Sequence, residues 1–268
     1  MSSNPQFDFA KSFGRKSGGR RVSPLSITVG ILVAAAIALV SLSGFYADWL
    51  WYKSVDYTSV WSTTLFTKVY LFIGFGLITS LFVLLNVYLA FKRRPVYVSM
   101  AVENDNLERY RAQLEPLRKL AFAGVGLAVF YFAGTAGTSL WRTWLLFKNS
   151  TDFGVKDVQF NLDISFFAFR LPFWQSLISW GFSALILALL AAGAVHYLYG
   201  GLRPQSRQDR STPFARAQLS VLLGLVVLLK GVAYWFDRYA LSLKENKLIT
   251  GLTYSDVNAL LPAKAILA

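Results

Sequence analysis

The sequence predicts an all-α fold: a polytopic transmembrane helix bundle with five complete spans, the start of a sixth, and a cytoplasmic N-terminus. Three observations predict it. Hydrophobic residues make up 55% of the 268-residue chain and charged residues only 15%, against about 25% charged in an average soluble domain. Five apolar runs reach the roughly 20 residues that a helix needs to cross the hydrocarbon core. Lys and Arg are divided unequally between alternate connecting segments, the pattern that orients a chain in a bilayer.

Taken in order, residues 1–24 form a basic tail rich in Ser, Gly, Lys and Arg, read as disordered because it has little apolar surface to bury. The first span is 25–45, entered through Ser23-Pro24, an N-cap residue followed by proline at the first helical position. Its apolar run of about 21 residues exceeds the 7–15 of a cleaved signal segment, so it reads as a retained anchor. The second span, 69–91, stops at Lys92-Arg93-Arg94-Pro95, since proline cannot continue a helix. In the 92–119 connection, ENDNLERYRAQLEPLRK places Leu107, Tyr110 and Leu114 at helical spacing. A charged connector is favoured there over a short amphipathic surface helix. The third span is 120–140, and the fourth is 173–199, entered through Pro172 and left through Gly200-Gly201. The fifth is 217–236, which closes a five-helix bundle over 25–236. Residues 237–268 form an extracytoplasmic segment leading into a truncated sixth span that begins near Leu260, in LLPAKAILA.

Orientation follows from the basic residues. Five Lys or Arg lie in 1–24, seven in 92–119 and four in 200–216, against two in 48–68, four in 141–172 and four in 237–264. The richer set belongs to the cytoplasm. Much of the net charge of +13 is therefore orientation, and the partner it implies is a bilayer with anionic headgroups on the cytoplasmic side. Nucleic acid is excluded because the basic residues lack interleaved stacking aromatics. Other envelope proteins, or a second copy of the chain, are further partners that a multi-pass bundle admits.

With that orientation all eight tryptophans fall in the outer half: Trp49, Trp51, Trp61, Trp141, Trp144, Trp174, Trp180 and Trp235. The inner interface has tyrosines (Tyr88, Tyr97, Tyr197, Tyr199). Aromatic belts ordinarily flank both interfaces, so the asymmetry reads either as a one-sided belt or as a shelf on which outer segments pack. The stretch DVQFNLDISFFAFRLPFWQ carries Phe160, Phe166, Phe167, Phe169, Phe173 and Trp174, too many aromatics for a free solvated loop. It reads as an interfacial or partly re-entrant segment lying on that shelf, or else as a strand or loop lying flat at the headgroups.

Few polar groups interrupt the spans. Asn86 sits near the cytoplasmic end of span two, where an amide bonds a neighbouring helix. Gly134 and Gly137 form a small-residue patch that permits close helix approach, and Gly224 and Gly231 share a face of span five. His196, the one histidine, lies at the C-terminal end of span four, where the helix dipole favours positive charge. Asp163, Asp237 and Asp256 are extracytoplasmic. The chain has no cysteine, which excludes disulfides, thiolate metal sites and cysteine nucleophiles. No catalytic, cofactor-binding or metal-binding residue is assigned.

Lys230, in VLLGLVVLLKGVAYWFDRY, is the one charge inside the five spans. Intramembrane charge is a functional-site hypothesis by default. Lys230 is six residues before Phe236, about 9 Å below the outer interface. Its stem can reach most of that way, and Tyr234 and Asp237 follow on the same helical face. A lysine reaching outward toward Asp237 past Tyr234 is favoured over a transport or catalytic role.

The strings ADWLWYKSVDYTSVW, DISFFAFRLPFW, HYLYGGLR, LLKGVAYWFDRY and YSDVNALLPAKAILA resemble uncharacterised protein family 0182, large bacterial multi-pass membrane proteins. The resemblance runs from about residue 24 to the end of the chain. It implies an N-terminal bundle of about seven membrane helices followed by a large extracytoplasmic region, so this chain is expected to be an N-terminal fragment. It implies no activity, cofactor or site residue.

These features predict a non-enzymatic integral protein of the bacterial plasma membrane that anchors or scaffolds extracytoplasmic envelope structure. Two other classes compete. A transporter or channel component would need a water-filled cavity lined by Lys230, with an acidic partner at similar depth and a role for Asn86. An enzyme processing envelope lipid or polymer would need Asp163, Asp237 and Asp256 gathered in one outer pocket.

Overall fold

A computed structural model describes residues 24–95, 105–203, 210–245 and 251–268. Apart from Pro24, the tail expected over 1–24 lies outside the described residues, as do Tyr97 and the side chains of Leu107, Tyr110 and Leu114. Among the described residues the regular structure is helical, with no strand and two isolated bridges. Five helices are long and apolar enough to cross a membrane: Ile27–Ser54, Thr58–Lys92, Glu115–Thr138, Phe166–Leu198 and Pro213–Leu243. The fold is thus an all-α bundle of membrane-spanning character.

The chain divides into two compact units, Met1–Ser62 and Thr63–Ala268. In the first, α1 (Pro24–Ser54) is apolar on every side, as a lipid-embedded helix is. It ends at Asp56, whose φ of 58° is the left-handed conformation that Asp tolerates better than most residues. The Tyr57 N–H donates to the Tyr52 carbonyl at 2.9 Å and closes the turn into α2 (Thr58–Lys92). Phe45 and Trp61 meet edge-on beside this turn, with centroids 4.9 Å apart.

The second unit holds the rest of α2, α3 (Asp105–Thr138), α4 (Trp141–Lys148), α5 (Leu171–Leu198), α6 (Pro213–Ala240) and α7 (Leu261–Leu267). The segment expected as a separate connector before span three is continuous with that span from Asp105, and it carries Pro116 in its interior. Proline forfeits one N–H bond there, and its neighbours Arg111, Ala112, Gln113, Leu114, Glu115, Leu117, Arg118 and Lys119 are strong helix formers.

Two helices start in the same unusual way. A π turn, Phe166–Arg170, runs into α5, and another, Asp256–Leu260, runs into α7. In each the next leucine closes a five-residue bond, Leu171 N–H to Phe166 and Leu261 N–H to Asp256. A proline follows both leucines. Its missing N–H and bulky ring displace the carbonyl four residues back, and one wider turn absorbs the displacement. Leu171 and Leu261 are both buried.

The core is a seam of small residues. On α5 the buried positions Ala184, Ala188, Ala192 and His196 recur every fourth residue. Thr79, Val83, Asn86 and Ala90 of α2, and Gln218 and Leu222 of α6, are buried at helical spacing too. Val83, Ala90, Ala188, Ala192 and Leu222 form one cluster. Lipid tails are as apolar as leucine, so helices in a bilayer gain by close backbone approach and interhelical hydrogen bonds rather than by hiding oily surface.

The α2–α3 contact uses glycine for the same purpose. A Cβ at Gly76 would stand 2.8 Å from the Phe130 carbonyl oxygen, one at Gly134 2.9 Å from that of Phe72, and one at Gly137 3.0 Å from that of Leu71. Ser80 Oγ donates to the Gly126 carbonyl at 2.9 Å across the same contact. The close approach expected at Gly134 and Gly137 is present, and Gly76 supplies its other half. On α6 the shared face of Gly224 and Gly231 is not used in common. Gly224 has open space beside it, while Gly231 meets the end of α7.

Candidate functional site

The polar groups in the bundle converge on the seam. Gln218 of α6 donates its carboxamide Nε2 to the backbone carbonyl of Asn86 at 3.0 Å and to the Asn86 side-chain oxygen at 3.2 Å. Its oxygen lies 2.9 Å from His196 Nε2 of α5. Asn86 Nδ2 donates in turn to the Phe82 carbonyl at 2.9 Å. A backbone carbonyl can only accept, so the Gln218 amide must face Asn86 with its NH2 and His196 with its oxygen. His196 therefore carries hydrogen on Nε2. All three side chains are buried. The groups form a directed chain of donors from α5 through α6 to α2, which ties three helices at one level.

Asn86 and His196 were expected separately, as interhelical glue and as a helix-end group. The structure joins them through Gln218, which the sequence reading missed. The signal available was position: Gln218 lies one turn before the buried Leu222. His196 also braces the chain reversal beyond α5. Its carbonyl accepts from Gly201 N–H at 2.7 Å and Leu202 N–H at 3.0 Å, and Gly201 packs so closely on the imidazole that an added Cβ would sit 2.9 Å from Nδ1. Thr212 then caps α6, its side chain accepting from Ala215 N–H at 3.3 Å.

Lys230 is exposed, with its ammonium 4.6 Å from the centre of the Tyr234 ring. The expected approach to Tyr234 is present, but the pairing with Asp237 is not. Asp237 is bound by Lys264 of α7 at 3.6 Å. That partner is 27 residues away in sequence, so reasoning along one helix face could not see it. An apolar crevice of about 480 Å³ does lie between α2, α5 and α6, lined by Ile78, Phe82, Leu225, Leu229 and Val232 among others, and not by Lys230. Its polar side chains, Trp180 and Thr79, satisfy each other: the indole donates to the Thr79 hydroxyl at 2.9 Å. Trp180 thus sits about 13 Å along α5 from Leu171, lining the crevice between helices, where it belongs to neither a one-sided belt nor a shelf.

The opposite end of the unit is aromatic. Phe147 stacks on Phe173 at 4.3 Å and Trp174 on Phe236 at 5.9 Å. Phe160 and Phe166 both pack on Tyr239, at 4.9 and 5.3 Å. The first two contacts join α4 to α5 and α5 to α6, and the last two hold the 149–170 segment against the end of α6. Its backbone is organised by Asp163, whose carboxylate accepts from Phe153 N–H at 3.0 Å, Gly154 N–H at 2.8 Å and Ser165 N–H at 2.8 Å. The Ser165 side chain and then these amides favour the ionised form and hold the Asp163 carboxyl down at about 2. Asp157 makes a smaller turn of the same kind, accepting from Gln159 and Phe160 N–H.

Asp256 is buried at the start of the π turn before α7. It accepts from Thr253 N–H at 2.9 Å, Thr253 Oγ1 at 2.7 Å and Lys244 Nζ at 3.2 Å. The Thr253 bonds, and after them Lys244, hold its carboxyl below the ordinary range. Asp163, Asp237 and Asp256 are therefore each bound within their own neighbourhoods. Among the described residues no group of three His, Cys, Asp or Glu could hold a metal ion.

Comparison with known proteins agrees with the resemblance read from the strings. The model of an uncharacterised protein family, UPF0182, matches residues 25–268. A UPF0182 protein of Streptomyces coelicolor is 48% identical over 259 residues, covering 95% of this chain and 26% of the relative. One from Nocardioides sp. is 43% identical over 252 residues (94% and 25%), and one from Salinispora tropica 46% over 248 residues (90% and 25%). The chain spans about a quarter of the length of these curated relatives. No solved structure matches it.

Proposed function

The chain belongs to the uncharacterised protein family UPF0182, and on that premise we propose that it is an integral protein of the bacterial plasma membrane that anchors extracytoplasmic envelope structure. Its N-terminus and the 92–119 and 200–216 connections face the cytoplasm and its anionic lipid headgroups. The aromatic end faces outward. The observation that carries this reading is the packing of that end. Phe160 and Phe166 brace the 149–170 segment on Tyr239 of α6, Phe147 with Phe173 and Trp174 with Phe236 join α4, α5 and α6 at the same end, and Asp163 fixes the backbone of the segment. A braced surface of this kind suits a platform.

Within the bundle, the Asn86, Gln218 and His196 side chains are spent on joining helices, and the crevice is apolar. That is poor support for a path carrying ions or polar solutes. The outer carboxylates are engaged by amides and lysines, which is poor support for a hydrolytic pair. The test is deletion of the full-length gene in an actinobacterial host. Envelope composition and permeability should change, and the full-length protein carrying Phe160→Ala with Tyr239→Ala should restore them less well than wild type. A deletion strain with normal envelope composition and permeability would sink the anchoring role.

A further inference from the structure

The end of the bundle opposite the aromatic face gathers arginines from the end of α2 and from α3, and aromatic rings lie beside them. The Arg94 guanidinium lies 4.2 Å from the centre of Phe91 and 5.1 Å from that of Tyr199. Arg118, from α3, lies 5.1 Å from the same Phe91 ring. Phe91 and Tyr199 meet edge-on at 5.1 Å. The rings are themselves fixed by the seam: Phe91 follows the buried Ala90, and Tyr199 is three residues past the buried His196. Arg93 lies 5.8 Å from Phe214, whose ring meets His196 at 6.1 Å.

We propose that Arg94 and Arg118 form a binding site for the phosphodiester of an anionic phospholipid headgroup. A ring attracts the guanidinium through its π face without taking up the strong N–H hydrogen bonds, which stay open to an acceptor. Two arginines offer ten N–H donors between them. Among the described residues the carboxylate beside them is Glu115, 3.4 Å from Arg118 and 3.8 Å from Arg94. Both distances are longer than the 2.7–2.9 Å of a strong charge-assisted bond. One carboxylate also leaves one positive charge over. A phosphodiester carries one negative charge on two free oxygens, which matches that excess and can bridge two guanidinium groups. The site lies where α2 ends and α3 enters its span, at the depth of lipid headgroups. Long aliphatic stems would tolerate that depth as readily as the rings do.

The proposal rests on the membrane placement above and not on the anchoring role. It is read on purified chain and the anchoring role on cells, so the failure of one is distinguishable from failure of the other. The full chain is reconstituted in phosphatidylcholine nanodiscs and titrated with phosphatidylglycerol, and retained lipid is counted by native mass spectrometry. Wild type should retain one phosphatidylglycerol in preference to phosphatidylcholine. Arg94→Gln with Arg118→Gln should weaken retention about tenfold, as loss of charge-assisted bonds does, while Lys148→Gln at the other end leaves it unchanged. Glu115→Gln removes the competing carboxylate and should strengthen retention about threefold. That arm decides the question if the double variant does not fold. Equal retention by wild type and the double variant, or weaker retention by Glu115→Gln, would overturn the site. Displacement by millimolar inorganic phosphate would assign the same chemistry to a soluble phosphate and overturn the headgroup assignment.

Discussion

Gln218 is the most consequential polar side chain in the bundle, because one carboxamide serves groups on two other helices. Its replacement by leucine leaves His196 and the Asn86 side chain without their shared partner. Unsatisfied buried groups cost about 1–3 kcal/mol each, partly relieved in a membrane by alternative partners. Gln218→Leu should therefore lower the thermal midpoint of the detergent-solubilised chain by an amount equivalent to about 1–3 kcal/mol. Replacing Asn86, Gln218 and His196 together with apolar residues should cost less than the sum of the single losses. Lys230 is the contrast. It is exposed and its ammonium rests on one ring, an interaction worth about 0.5–1 kcal/mol, so Lys230→Met should shift the same midpoint by no more than that. Asp163 gives a pH dependence of known sign. Its folded carboxyl is held at about 2, below the ordinary 3.8, so its contribution is full above about pH 4 and is lost as pH falls toward 2. Protease cleavage within 150–165 should accelerate over that window in wild type, and Asp163→Asn should cleave fast at every pH.

The helices were the most legible part of the sequence, for a physical reason. An apolar run of span length has one stable form in a bilayer, so their existence follows from composition alone. Their ends were less legible. Span two begins eleven residues before the expected Val69, at Thr58, and span three extends back to Asp105, because helices outrun the hydrocarbon core at little cost. The partners of packing motifs were the least legible. Gly134 and Gly137 announced a close contact, but only the fold brings Gly76 of α2 to the Phe130 carbonyl. A methyl group at Gly76 would meet that backbone oxygen at 2.8 Å, which cannot move aside as a side chain would. Gly76→Ala should destabilise the α2–α3 pair by about 1–3 kcal/mol. Gly224→Ala, with nothing within 4 Å of the added carbon, should be neutral or stabilising by up to about 1 kcal/mol. Thermal unfolding of the two variants side by side checks both.

Taken together, the second unit has two unlike ends joined by a small-residue seam. At one end arginines lie over Phe91, Tyr199 and Phe214. At the other, Phe160 and Phe166 brace an ordered segment on Tyr239. The basic connections and the tryptophan asymmetry were both visible in the sequence. How each end is held together was not, because the contacts that define it cross between helices far apart in the chain: Arg94 with Tyr199, Phe160 with Tyr239, Asp237 with Lys264. In the proposed orientation the basic end lies in the cytoplasm and the aromatic end outside. The chain contains no cysteine, so single cysteines report sidedness without background. Val158→Cys and Tyr254→Cys, at exposed positions of the aromatic end, should react with a membrane-impermeant maleimide on intact bacterial cells. Arg210→Cys, exposed at the basic end, should react only after the membrane is opened. Labelling of Arg210→Cys on intact cells, with Val158→Cys and Tyr254→Cys protected until lysis, would invert the orientation and contradict the account.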